Sequence, residues 1–98
     1  MDLQTATDTF RSKVGEDSGL GATLKFDCGA DGVIVIDGAS TPNTVDNTDR
    51  ATDCTIALGI DTLAEMLSGE LNPMNAFMTG KMQVTGDMGL ALKLQKIF

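Results

Sequence analysis

Residues 21 to 36 read GATLKFDCGADGVIVI. Ala22, Leu24, Phe26 and Cys28 alternate with Thr23, Lys25 and Asp27, the period of two that a strand with one buried face requires. Gly29 and Gly32 mark a tight turn, and the β-branched run Val33-Ile34-Val35-Ile36 belongs in a second strand. The stretch therefore predicts a hairpin whose apolar face must be covered by another layer. All four residues of the second strand are apolar, so periodicity does not say which of them point inward.

Upstream, Leu3, Ala6, Phe10 and Val14 recur at helical spacing among polar residues, which predicts an amphipathic helix that stops at Gly15. Residues 16 to 21 form a glycine-containing connector. Downstream, Gly38 to Arg50 is rich in Ser, Thr, Pro, Asn and Asp and reads as a surface loop. Thr52, Cys54, Ile56 and Leu58 then alternate as a third strand, ended by Gly59. Asp61 is placed to cap a short helix carrying Leu63, Met66 and Leu67, with Gly69 as its stop. Asn72-Pro73 starts another helix over Met74, Phe77 and Met78, closed by Gly80, because Pro at the first helical position loses no needed donor. Met82 and Val84 alternate as a fourth strand, and Gly86-Asp87 turns the chain into a last helix from Met88.

That last helix carries Met88, Leu90, Ala91, Leu92, Leu94, Ile97 and Phe98 around most of its circumference. It must be covered on more than one side by protein, ligand or a partner. The whole pattern predicts an α+β, two-layer fold with helices over one face of an antiparallel-rich sheet. Leu24, Phe26, Cys54, Ile56, Leu58, Met82 and Val84 are expected to face Leu63, Met66, Leu67, Phe77, Met78 and the last helix.

Ninety-eight residues suit one domain, residues 1 to 98, with a single core. The hydrophobic fraction is 42% and the mean hydropathy +0.04, and no apolar run approaches the roughly 18 residues of a membrane span. The first ten residues show neither half of a signal peptide, so a cytoplasmic location is expected. Cys28 and Cys54 fall in apolar strand registers and read as reduced, buried thiols. The net charge of −7 speaks against a nucleic-acid partner, which would need a basic face. It is unevenly spread: residues 81 to 98 carry +2, leaving −9 on residues 1 to 80.

The chain has no His, Trp or Tyr. The missing His removes the commonest general base, the usual triads and most zinc sites. Gly80-Lys81-Met82 lacks the rest of a phosphate-binding loop, and Gly19 to Leu24 stops short of a dinucleotide fingerprint. Asp46, Asp49 and Asp53 do not have calcium-loop spacing and read as a solvated acidic face. With no nucleophile–base pair, no metal site and no cofactor motif, the chain reads as a binding protein rather than an enzyme.

Gly69 to Phe98 holds four of the six methionines, Met74, Met78, Met82 and Met88, with two acidic residues, Glu70 and Asp87. Methionine is flexible and polarizable, so such a segment either fills an irregular core or forms a wall that repacks around different ligands.

The run from Asp53 closely resembles the sterol carrier protein 2 domain family. The resemblance rests on Asn72-Pro73 followed by Ala76-Phe77-Met78, then Gly80-Lys81, and on Gly86-Asp87-Met88-Gly89 leading into Ala91-Leu92-Lys93-Leu94. It implies a five-stranded sheet, covered on one face by helices, with a hydrophobic tunnel for fatty acids, fatty acyl-CoA, sterols or phospholipids. Ser40 to Val45 is the candidate for the fifth strand. The implied lining is Leu24, Phe26, Val35, Ile56, Leu63, Met66, Leu67, Met74, Phe77, Met78, Met82, Val84, Met88, Leu90, Ala91 and Leu94, with Asn75, Thr79 and Gln83 at the mouth. The partners implied are the lipid itself and, transiently, a membrane or a lipid enzyme, with the protein a monomer or weak dimer. The alternative is an interaction module that docks its apolar last helix on an enzyme of lipid metabolism. The chain ends Lys96-Ile97-Phe98 rather than in the peroxisomal tripeptide that members of this family often carry.

Overall fold

The computed structural model describes residues 2 to 15 and 19 to 93. The first helix, α1 (Leu3–Val14), starts where Asp2 accepts a 2.8 Å hydrogen bond from the Thr5 backbone N–H and ends at Gly15 with φ 62°. Arg11 and Lys13 lie in its last turn, where cations suit the helix dipole. Then follow β1 (Thr23–Asp27), a short 3₁₀ turn (Gly29–Asp31), β2 (Val33–Asp37), β3 (Thr44–Asp46) and β4 (Cys54–Leu58). The remainder comprises α2 (Ile60–Ser68), α3 (Pro73–Met78), β5 (Met82–Gly86) and α4 (Met88–Lys93).

The five strands form one mixed sheet in the order β3-β2-β1-β4-β5. β1 and β4 run parallel and every other pair is antiparallel. The third strand lies inside the stretch expected to be loop, and overlaps the Ser40 to Val45 candidate only at Thr44 and Val45. Three residues flanked by turn formers leave too short an alternation to read. The cap of α2 also moves: Gly59 holds the position, its carbonyl accepting from the Leu63 N–H at 3.0 Å, and Asp61 sits in the first turn.

The core lies between the sheet and α1 and α2. Phe10 stacks on Phe26 with ring centroids 4.7 Å apart, and Leu24, Ile34, Ile36, Cys54, Ile56 and Leu63 are fully buried around them. The ambiguity of β2 resolves here. Ile34 and Ile36 pair with Phe26 and Leu24 and face the helices, whereas Val35, opposite Lys25, is buried on the other face. Lys25 reaches along that face to the Asp49 carboxylate at 2.8 Å and the Arg50 carbonyl at 2.9 Å. A central strand buried on both sides has no polar register, hence its continuous apolar run.

The acidic residues of the 46–53 segment are partnered. Asp46 pairs with Arg50 at 3.0 Å, Asp49 with Lys25, and the Asp53 carboxylate accepts from the Thr23 backbone and hydroxyl. The hydrogen bond from Arg50 holds the Asp46 carboxyl below its usual range. Among the described residues no cluster of His, Cys, Asp or Glu could hold a metal ion. Cys28 and Cys54 are free, buried thiols, as their register required.

Candidate functional site

β5 is an edge strand, with Met82 buried in the core and Val84 packed against it, and its main helical neighbours are not α1 and α2. Two short helices flank it instead. α3 begins at Asn72, whose side chain accepts from the Met74 N–H at 2.8 Å, and carries Pro73 at its first position. It ends at Thr79, whose hydroxyl donates back to the Asn75 carbonyl at 2.7 Å.

The position of α4 is fixed by the turn before it. Asp87 N–H donates to the Asp53 carbonyl at 3.0 Å, and Gly86 has φ 99° with its α-carbon so close to Asp53 and Cys54 that a Cβ would collide with the Asp53 carbonyl. Glycine is required there by both conformation and space. Asp87 then caps α4 by accepting from the Leu90 N–H at 3.2 Å. Leu90 is buried in the core, while Met88 and Leu92, on the outer side, stand away from it.

Between α3, β5 and α4 lies a cavity of about 220 Å³, lined by Pro73, Met74, Phe77, Met82, Val84, Met88, Gly89, Ala91 and Leu92. Among the described residues, no lining side chain is charged or carries an N–H or O–H group, so this lining favours apolar matter. Cys54 pairs with Gly86, and its thiol is pushed up by burial and then by the Asp87 carboxylate.

Six residues expected to line a site meet at this cavity: Met74, Phe77, Met82, Val84, Met88 and Ala91. The others are distributed elsewhere. Leu24, Phe26, Ile56, Leu63, Met66 and Leu90 belong to the packed core, Leu67 packs against it, and Val35 lies on the far face of the sheet. Phe77 and Met78, expected to be covered by the sheet, are 41% and 75% exposed, and Met78 stands outside the cavity. Asn75, Thr79 and Gln83 are exposed and do not border it. Leu94 lies outside the described residues.

Sequence reasoning missed Pro73, Gly89 and Leu92. Pro73 was read only as a helix start, but its ring is buried against the cavity. Gly89 contributes space rather than a side chain, which no hydropathy pattern reports. The tunnel is expected between the sheet and its helices, the last helix included, and the apolar cavity lies at the β5 end of that interlayer space.

A profile of the SCP-2 sterol transfer family matches residues 5–98. Sterol carrier protein 2 of Oryctolagus cuniculus is 45% identical over 51 residues, which are 52% of this chain and 9% of that protein. Hydroxysteroid dehydrogenase-like protein 2 of Xenopus tropicalis is 44% identical over 45 residues, 46% of this chain and 11% of that protein. The chain thus spans a small fraction of the length of these curated relatives. The crystal structure of Sterol Carrier Protein 2 Like 2 from Aedes aegypti superposes with a TM-score of 0.80 at 22% identity, covering 98% of this chain and 95% of that one. The solution structure of its palmitated form gives 0.75 at 21% identity, with 99% and 94% covered. These two likenesses establish the fold.

Proposed function

Because the chain belongs to the SCP-2 sterol transfer family, we propose that it is a non-enzymatic lipid-binding and lipid-transfer domain that holds the apolar part of its ligand in the α3–β5–α4 cavity. The observation that carries this reading is the cavity lining: among the described residues it includes three methionines and not one polar side chain. A fatty acid or fatty acyl-CoA is the favoured ligand class, since the mosquito protein of the same fold is palmitated; sterols and phospholipids are the wider candidates. Residues 1 to 98 act as one domain in this proposal, as a monomer or weak dimer. Two unbridged thiols suit the reducing cytoplasm.

Each methylene withdrawn from water contributes about 0.8 kcal/mol, so a sixteen-carbon chain gains on the order of 12 kcal/mol before an association cost of roughly 4–15 kcal/mol. The balance is a moderate affinity, which suits a carrier that must also release. Drug-sized ligands occupy roughly 300–1,000 Å³, more than this cavity offers, so a long chain extends past Met88 and Leu92 or parts α3 from α4. The test is native mass spectrometry of protein purified from cells, together with thermal unfolding on addition of palmitate. Bound lipid and a stabilisation of about 2.7 kcal/mol at a hundredfold excess over Kd are expected; apo protein with no thermal shift refutes the reading.

The dehydrogenase-like relative, of which the match covers 11%, favours a second reading: an accessory module that docks its apolar last helix on an enzyme. Truncation after Leu90 separates the two. A docking helix can be lost with fatty-acid binding intact; a cavity wall cannot.

A further inference from the structure

The sheet has two edges, and they are treated differently. β3 is three residues long, and its Val45 carbonyl is taken by the Arg11 guanidinium at 3.0 and 3.2 Å, so little of that edge is left to pair. β5 runs for five residues, and among the described residues no strand lies beyond it. Gln83, Thr85 and Gly86 on this strand are exposed, as are Lys81 and Asp87 on either side of it.

The register says which backbone groups the β5 edge offers. Asp87 continues the β4–β5 ladder opposite Asp53, and its N–H donates to the Asp53 carbonyl at 3.0 Å. Hydrogen-bonded and non-hydrogen-bonded pairs alternate along an antiparallel ladder, so Thr85 and Gln83 also turn their N–H and C=O groups toward β4. Met82, Val84 and Gly86 therefore turn theirs outward. An open edge of this kind is a template for one more strand.

The residues Lys81 to Asp87, KMQVTGD, say which strand fits. Run antiparallel to itself about Val84, this segment sets Val84 against Val84 and Met82 against Gly86. All three outward residues are then paired, for about six backbone hydrogen bonds. The same register sets Gln83 against Thr85, which can hydrogen-bond across strands, and brings Lys81 to Asp87 at both ends. Centring the pairing on Gln83 or Thr85 instead leaves an outward residue of each copy unpaired and separates the two charges. No acidic residue lies between Glu70 and Asp87, so the net charge of −7 is not concentrated at the seam. An unrelated extended peptide satisfies the backbone groups alone; a second copy of this chain also matches the charges.

We infer that β5 is a dimerisation edge, through which two copies join antiparallel about Val84 into one sheet, with Lys81–Asp87 ion pairs closing both ends. Val84 borders the cavity, so this pairing lays the two cavities side by side on one face of the joined sheet. Dimerisation in this way does not require a bound lipid.

The experiment is sedimentation equilibrium of the full chain from about 1 μM to 1 mM, beside amide hydrogen exchange at the two ends of that range. Lys81→Asp and Asp87→Lys each put like charges at both ends of a self-pair, whereas a mixture of the two variants regains an opposite pair at every end. The native chain is expected to pass from monomer to dimer, each variant alone to associate about tenfold less well, and the equimolar mixture to recover the native behaviour. Exchange at Met82, Val84 and Gly86 is expected to slow as the native dimer forms, while Gln83 and Thr85 are already slow in the monomer. A native chain that stays monomeric throughout overturns the inference. So does association that the folded variants leave unchanged, or that their mixture fails to restore. Association lost in Met78→Glu but kept in both charge variants assigns the contact to α3 and overturns it as well. Asp87 also caps α4; where Asp87→Lys fails to fold, the native exchange pattern decides, and a dimer in which the Val84 amide still exchanges freely refutes the pairing.

Discussion

Phe26 and Phe77 are the same side chain in two settings. Phe26, on β1, is fully buried and stacked on Phe10, under the long amphipathic helix α1. Phe77, on the six-residue α3, leaves 41% of its surface exposed and forms one wall of a cavity. Both regions are rich in large apolar residues, so composition does not distinguish them. What differs is the second layer: α1 and α2, helices of 12 and 9 residues, present their apolar faces to the middle of the sheet, whereas the edge strand β5 has mainly the short α3 and α4 beside it. One region is buried and holds the fold; the other borders a cavity.

The sharpest way to break this comparison is a pair of truncations followed by denaturant unfolding. Phe10→Ala is expected to cost about 3–5 kcal/mol, the range for a buried aromatic. Phe77→Ala is expected to change stability by no more than about 0.5 kcal/mol, as exposed sites do, while weakening the palmitate-induced thermal shift. Equal losses at the two positions would mean that the cavity wall is part of the structural core. A smaller effect is expected at the turn that sets α4: Gly86→Ala forces an alanine to φ 99° against the Asp53 carbonyl, at about 1–3 kcal/mol. Because that turn orients α4, palmitate binding should fall more than stability does; unchanged binding would detach α4 from the site.

The last expected effect belongs to the buried region alone and is confined to alkaline pH. Burial, helped by the Asp31 and Asp27 carboxylates, pushes the Cys28 thiol up from 9.0 to about 11. The folded chain therefore keeps this proton at pH values where the unfolded chain has lost it. The resulting contribution is complete below pH 9 and disappears as the pH rises towards 11. Denaturant midpoints should decline across that window, and Cys28→Ser should flatten the decline; a midpoint independent of pH would show that this end of the core is open to water.

Much of the fold was legible because it rests on local repetition. Leu3 to Val14, the alternation of Leu24 and Phe26, and the Asn72-Pro73 start each declare themselves within a few residues. The fifth strand did not, since Thr44 to Asp46 is a strand only by pairing with Val35 to Asp37. Half-legible was the lining of the cavity proposed as the site. Met74, Phe77, Met82, Val84, Met88 and Ala91 were identified from apolar character and resemblance, but the same reasoning drew in Leu24, Phe26 and Ile56, which are equally apolar and lie in the core. Hydropathy reports a preference to leave water, and both a packed core and a cavity wall satisfy it.

The sequence by itself determined the layers of this protein and the burial of its two cysteines, because both follow from residue type and spacing. Only the tertiary structure decided where the apolar inventory falls short of closing. That depends on strand order: with β5 at the edge, Met82 and Val84 close against the core on one side and border the cavity beneath α3 and α4 on the other.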